Sequence, residues 1–174
     1  MMKRPTAALA VAALLLLPAG AVLAQKAGDP LQSRLEASRV VVKDGRESLV
    51  DAASAKPGDV IEYTATYRNT GKAAITGLQA TLPIPPQTEF IPGTARPAQV
   101  SASLDGRAFA AVPLKRTVER DGRRVEEPVP WREYRALRWT AGELGGEKSA
   151  AFTARVRVID DPVPGAAPAK AGGK

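Results

Sequence analysis

PGDVIEYTATYRNTG, residues 57–71, is the run on which the reading of this chain turns. Pro57-Gly58 opens it and Asn69-Thr70-Gly71 closes it, and both are turn-forming combinations. Between them Ile61, Tyr63, Ala65 and Tyr67 fall on one face, and Glu62, Thr64, Thr66 and Arg68 on the other. Alternation with a period of two predicts a strand with one face buried and one face wet.

The same grammar recurs along the chain. Leu78, Ala80 and Leu82 share one face of a following strand. Near the C-terminus Phe152, Ala154, Val156 and Val158 alternate with Thr153, Arg155 and Arg157. Three Asp-Gly pairs, at 44–45, 105–106 and 121–122, supply the positive φ angles of two-residue hairpins, and each is flanked by plausible strands. An Arg follows each pair, which is ordinary strand-edge chemistry. Prolines at 83, 85, 86, 92 and 97 exclude a helix there and predict a long irregular connection. In WREYRALRW, 131–139, Arg132, Arg135 and Arg138 have helical spacing. The strand reading, with Leu137 and Trp139 on one face, suits the surroundings better. About eight to ten short strands separated by polar turns describe an all-β chain folded as an antiparallel sandwich.

The two ends read differently. Lys3 and Arg4 precede an unbroken apolar run, Ala7 to Leu17, and Val22-Leu23-Ala24 ends in a small residue. This is the order of a secretory signal peptide, residues 1–24, with cleavage near Ala24. The rival reading, a membrane anchor, needs roughly 20 apolar residues. Residues 25–33 read as a loose lead-in, 34–160 as the folded body and 161–174, DPVPGAAPAKAGGK, as a disordered tail. Cleavage leaves 150 residues, one domain able to bury roughly 68–70% of its unfolded surface. It removes two basic residues and no acidic one, so the net charge falls from +7 to +5. An excess of that sign favours anionic partners, although solubility alone accounts for it.

PGDVIEYTATYRNTGKAAITGL resembles the opening of the DUF11 "conserved repeat" domain, with its Pro-Gly-Asp turn, Tyr-containing strand and Asn-Thr-Gly. IPPQTEFIPGTA is similar to the family's next segment. SLDGRAF and YRALRWTAGELGGEKSAAFTARVRV are similar to its later hairpin and last strands. The resemblance covers Leu35 to about Ile159. ATLPIP lacks the acid many members carry there, Gly145-Gly146-Glu147 replaces Pro-Gly-Glu, and one copy stands in place of tandem repeats. The resemblance implies an immunoglobulin-like β-sandwich in an exported or cell-surface bacterial protein. It implies no chemistry.

The composition excludes much. With no His and no Cys there is no Ser-His-Asp triad, no Cys-His pair and no imidazole or thiolate zinc ligand. Adjacent strand residues point to opposite faces, so neither Glu126-Glu127 nor Asp160-Asp161 forms an acid/base couple. Calcium could use Asp160, Asp161 and a hairpin Asp, but no loop has the dense acidic spacing of such a site. SLDGRAF has the outline of an Asp-box hairpin, with Arg107 where Gly would stand, and reads as a tight turn. Tyr63, Tyr67, Trp131 and Trp139 read as core rather than as a ligand pocket or stacking platform.

From Pro113 to Trp139 there are eight basic and five acidic residues. If Asp121-Gly122 closes a hairpin, Lys115-Arg116 and Arg123-Arg124 should lie side by side. That makes Arg116, Arg120, Arg123 and Arg124 the candidate interaction patch. No catalytic residue, cofactor, metal or specific nucleic-acid partner is expected, and no membrane-spanning segment in the mature chain. The sequence therefore points to an exported, non-catalytic structural or protein-interaction module, periplasmic or extracellular. The alternative is a binder of anionic envelope surfaces, lipid headgroups or acidic polysaccharide, acting through the basic hairpin.

Overall fold

The structure, a computed structural model, describes residues 30–160. The expected signal peptide, residues 1–24, and tail, residues 161–174, lie outside the described residues. Eleven strands are formed: β1 (Leu31–Lys43), β2 (Arg46–Asp51), β3 (Val60–Asn69), β4 (Ile75–Pro83), β5 (Thr88–Phe90), β6 (Ser101–Ser103), β7 (Ala110–Ala111), β8 (Lys115–Arg120), β9 (Arg123–Pro128), β10 (Ala136–Leu144) and β11 (Ser149–Val158). All pairings between them are antiparallel. One sheet has the order β2-β1-β3-β11-β5 and the other β4-β10-β6-β7, while β8-β9 stands out as a separate hairpin. The two sheets pack as a sandwich around one core.

The alternating faces of β3 and β11 become the two sides of the larger sheet. Ile61 and Ala65 lie at most 5% exposed, as do Phe152, Ala154 and Val156 on the neighbouring strand. They meet Ala80, Leu82, Leu137 and Trp139 from the smaller sheet. Each large apolar side chain buried in this way stabilises the fold by roughly 1.5–3 kcal/mol. Phe90, Tyr134, Trp139 and Phe152 are buried in the core, and Tyr63, Tyr67 and Trp131 pack against it half-buried. Trp139 Nε1 donates to the Pro97 carbonyl at 2.7 Å, and the buried Tyr134 hydroxyl accepts from the Leu114 N–H at 2.7 Å. Trp131 packs on Phe90 and Tyr134.

The turn Asn69-Thr70-Gly71 is a clasp between the sheets. Asn69 is fully buried. Its Nδ2 faces the carbonyls of Ala73, Leu144 and Gly145 at 2.7, 3.1 and 3.2 Å, and its Oδ1 accepts from Gly71 N–H. Gly71 carbonyl accepts from Glu147 N–H, so the β3-β4 turn is tied to the β10-β11 turn. Gly146 fits against the Lys72 carbonyl only because it has no Cβ.

Three expectations change. The strand β1 begins at Leu31, inside the stretch read as a lead-in, because its backbone pairs with Asn69, Arg68 and Tyr67. Residues 131–133 form a 3-10 turn, and the strand with Leu137 and Trp139 on its buried face starts only at Ala136. Asp44-Gly45 and Asp121-Gly122 close two-residue hairpins with positive φ at both positions. Asp105-Gly106 does not, and only Gly106 has positive φ there. Side chains hold that loop instead. Ser103 Oγ accepts from Gly106 N–H at 2.9 Å, and Asp105 Oδ1 accepts from the N–H groups of Arg107 and Ala108. The strands β6 and β7 consequently join across a wide loop rather than a tight turn.

Candidate interaction surface

The four arginines of the expected patch are divided by the hairpin register. Arg116 lies opposite Glu127, Glu119 opposite Arg124 and Arg120 opposite Arg123. Lys115 and Arg116 are therefore at the base of the hairpin and Arg123 and Arg124 at its tip, not side by side. Glu127 accepts from Arg116 at 3.1 Å and from Arg120 at 2.9 Å, and Arg116 also pairs with Glu133 at 2.9 Å. These contacts, with Arg116 foremost, hold the Glu127 carboxyl below its ordinary range. Two of the four cations are thus internally neutralised. Arg123 and Arg124 take no part in the ion pairs of the described residues, which leaves a small basic tip. Glu133 comes from the 3-10 turn after the hairpin, a partner no local pattern in the sequence announces.

A different surface stands out at the edge of the larger sheet. Six large apolar residues are exposed among the described residues, and four of them are on β1 and β2: Val42 at 68%, Leu49 at 53%, Val50 at 38% and Leu35 at 36%. Every residue of β2 is exposed. The hairpin register fixes the backbone of this strand. Lys43 and Arg46 flank the two-residue turn, so the N–H groups of Arg46, Ser48 and Val50 point to β1. Those of Glu47, Leu49 and Asp51 point away, along an edge where no strand of the described residues pairs.

The other sandwich edges offer less open backbone. On β4 the Thr81 N–H is taken by the Tyr67 hydroxyl at 3.2 Å, and Pro83 has no N–H to give. β5 and β7 are three and two residues long. The β8-β9 arms carry charge at eight of their twelve positions, a known way of keeping edges apart. On the outer face of β2, Glu47 is held by Arg155 through two bonds of 3.0 and 2.9 Å, and Arg155 also meets Glu62 at 2.8 Å. Arg155 thereby neutralises the acid beside Leu49 and braces β2 from β11 and β3.

The smaller sheet ends at β4, which lies above β3, and the inner faces of β1 and β2 extend beyond it. This leaves an apolar trough. One section, about 330 Å³, runs between Ser33, Leu35, Tyr67 and Pro83. The next, about 670 Å³, continues from Leu35 past Ala37 and Tyr63 to Pro85 and Val158. Desolvation in this setting raises the Tyr63 hydroxyl above its ordinary pKa.

No group of His, Cys, Asp or Glu side chains able to hold a metal ion occurs among the described residues, and no helix there is long and apolar enough to cross a membrane. Glu126 and Glu127 are separately engaged, by Lys115 and by Arg116 with Arg120. Their chemistry is that of ion pairs on a sandwich hairpin. Comparison with protein-family models, with curated proteins and with solved structures finds no match.

Proposed function

We propose that this chain is an exported, non-catalytic interaction module of the cell envelope, of the DUF11 kind, which takes hold of a partner by strand addition at β2. The observation that carries this reading is the outward row of backbone groups at Glu47, Leu49 and Asp51, on a strand with exposed Leu49 and Val50 on its two faces. An incoming strand would pair with that row and cover the apolar side chains, gaining affinity from the backbone and selectivity from alternate side chains. Such edges are normally shielded in monomeric proteins, so an open one flanked by apolar residues calls for an occupant.

A second reading has its own observation. Arg123 and Arg124 at the hairpin tip are free to meet an anionic surface, lipid headgroup or acidic polysaccharide. A photo-crosslinking amino acid placed at position 49 or at position 123, in the cells that make the protein, separates the two. Strand addition gives a protein adduct from position 49 that persists at high salt. Adducts from position 123 alone, lost between low and physiological salt, favour the anionic surface.

A further inference from the structure

We propose that the outer face of the smaller sheet carries a binding site for the carboxylate of an acidic sugar, centred on Arg138. Leu137 and Trp139 are buried in the core, so Arg138 between them points outward. The register sets it in a row across four strands. Thr81 on β4 lies opposite Arg138, Arg138 opposite Ser101 on β6, and Ser101 opposite Ala111 on β7. Two neighbours hold the half-buried guanidinium. Its Cζ lies 3.5 Å from the centroid of the Phe109 ring, and its Nε donates to Thr81 Oγ1 at 3.3 Å. Phe109 is set in turn by the wide β6-β7 loop, where Asp105 Oδ1 accepts from the N–H of Ala108, the residue before it.

Among the described residues the Nη1 and Nη2 groups of Arg138 have no hydrogen-bond or carboxylate partner. Other arginines differ. Arg96 and Arg135 donate to backbone carbonyls, and Arg123 and Arg124 are exposed at the hairpin tip. Arg138 is both oriented and free at one edge. It borders an open cavity of about 310 Å³ that Gln99, Ser101, Ala111 and Thr140 also line. The parallel N–H groups of a guanidinium match the two oxygens of a carboxylate, and a fork already held in place loses less freedom on binding. One guanidinium balances one negative charge, which suits a carboxylate better than a phosphate monoester with its charge of roughly −1.5 to −2. The hydroxyls of Ser101 and Thr140 and the amide of Gln99 can donate and accept, as the hydroxyls of a sugar ring require. Ala111 offers an apolar wall to the C–H face of the ring. The site shares no residue with β2 or with the β8-β9 hairpin, so it stands apart from strand addition and from the basic hairpin tip.

Titration of the isotope-enriched chain with sodium glucuronate tests the site, read at the backbone amides and at the Arg138 Nε–H signal. Glucose, sodium acetate and inorganic phosphate at matched ionic strength are the comparisons. The expected result is a set of saturating shifts at Ser101, Ala111, Arg138 and Thr140, with a midpoint in the roughly millimolar range of a ligand with about a dozen non-hydrogen atoms. Glucose should give no such shifts, and acetate should bind several-fold more weakly. Arg138→Lys keeps the charge but loses the fork and should weaken binding about tenfold. Gln99→Ala, an exposed change that leaves Arg138 and Phe109 in place, should weaken it about threefold. No saturating shift at Ser101, Ala111, Arg138 and Thr140 up to about 50 mM glucuronate overturns the proposal. So does an equal response to acetate, which would mark a general anion effect. Tighter binding of inorganic phosphate would assign the site to a phosphate group instead, and shifts centred on Arg123 and Arg124 would move the contact to the hairpin tip; either result contradicts the proposal.

Discussion

Arg155 on β11 and Glu47 on β2 are joined by two N–H···O bonds of 3.0 and 2.9 Å, across 108 positions of sequence and two intervening strands. The pair is the reason β2 can be both exposed and ordered. A strand with no cover on either face would otherwise fray, and here its outer face is fastened to the middle of the sheet. Arg155→Ala should leave the core intact and loosen β2 selectively. Amide exchange at Ser48 and Val50 should rise several-fold while Phe152 and Ala154 stay protected. Unchanged exchange at Ser48 and Val50 would show that the hairpin register alone holds the strand.

Asn69 is the most demanding polar residue of the fold. Substituting Asn69→Ala removes its amide from three carbonyls and leaves them buried between the two turns. A loss of about 2–3 kcal/mol in chemical denaturation is expected, since stranded buried acceptors cost more than the bond itself. A loss under about 0.5 kcal/mol would mean that water takes the place of the side chain.

Tyr134→Phe tests how the β8-β9 hairpin is rooted. The hydroxyl is the partner of the buried Leu114 N–H. Its removal should cost about 1–3 kcal/mol and accelerate exchange at Leu114 and Val129 in particular. Equal exchange at those two amides would contradict the role.

Acid should weaken the fold with a definite sign. Glu47 is held below its ordinary pKa of 4.5 chiefly by the bond from Arg155, Asp105 by the Arg107 N–H and Glu127 by Arg116. Because the folded values are depressed, the unfolded chain takes up protons first as pH falls. The stabilisation is present at neutral pH and is lost as the pH falls below about 4.5 and through the folded values. All three carboxylates are accessible to solvent, so the effect per group is modest. Urea midpoints should fall from about pH 5 to pH 3, and Glu47→Gln should make the fall shallower. A Glu47→Gln profile parallel to that of the parent would remove Glu47 from the account.

Much of the sandwich is legible in the sequence, for a local reason. The buried and wet faces of β3 and β11, the hairpins at Asp44-Gly45 and Asp121-Gly122 and the burial of Trp139 each follow from period-two alternation or from the φ demands of a turn. Sheet order does not. Nothing in SAAFTARVRV names β3 as its neighbour, and nothing in ALRWTAGEL places it between β4 and β6. The candidate surface suffers most from this. RESLVD reads as a plausible hairpin strand, and only the arrangement of the sheets shows that, among the described residues, no strand pairs with its outer edge. The arginine patch misleads in the opposite sense, because cross-strand register draws Arg116 onto Glu127, Arg120 reaches the same carboxylate, and a turn further along brings Glu133 to Arg116.

Residue-resolved hydrogen exchange of β2, in the purified chain and in its complex isolated from envelope extracts, tests the central claim most directly. The free chain should show fast exchange at Glu47, Leu49 and Asp51 and slow exchange at Ser48 and Val50. In the complex, Glu47, Leu49 and Asp51 should become slow while Arg123 and Arg124 remain fast. Protection that appears at Arg123 and Arg124, with β2 unchanged, would contradict strand addition and place the contact at the hairpin tip.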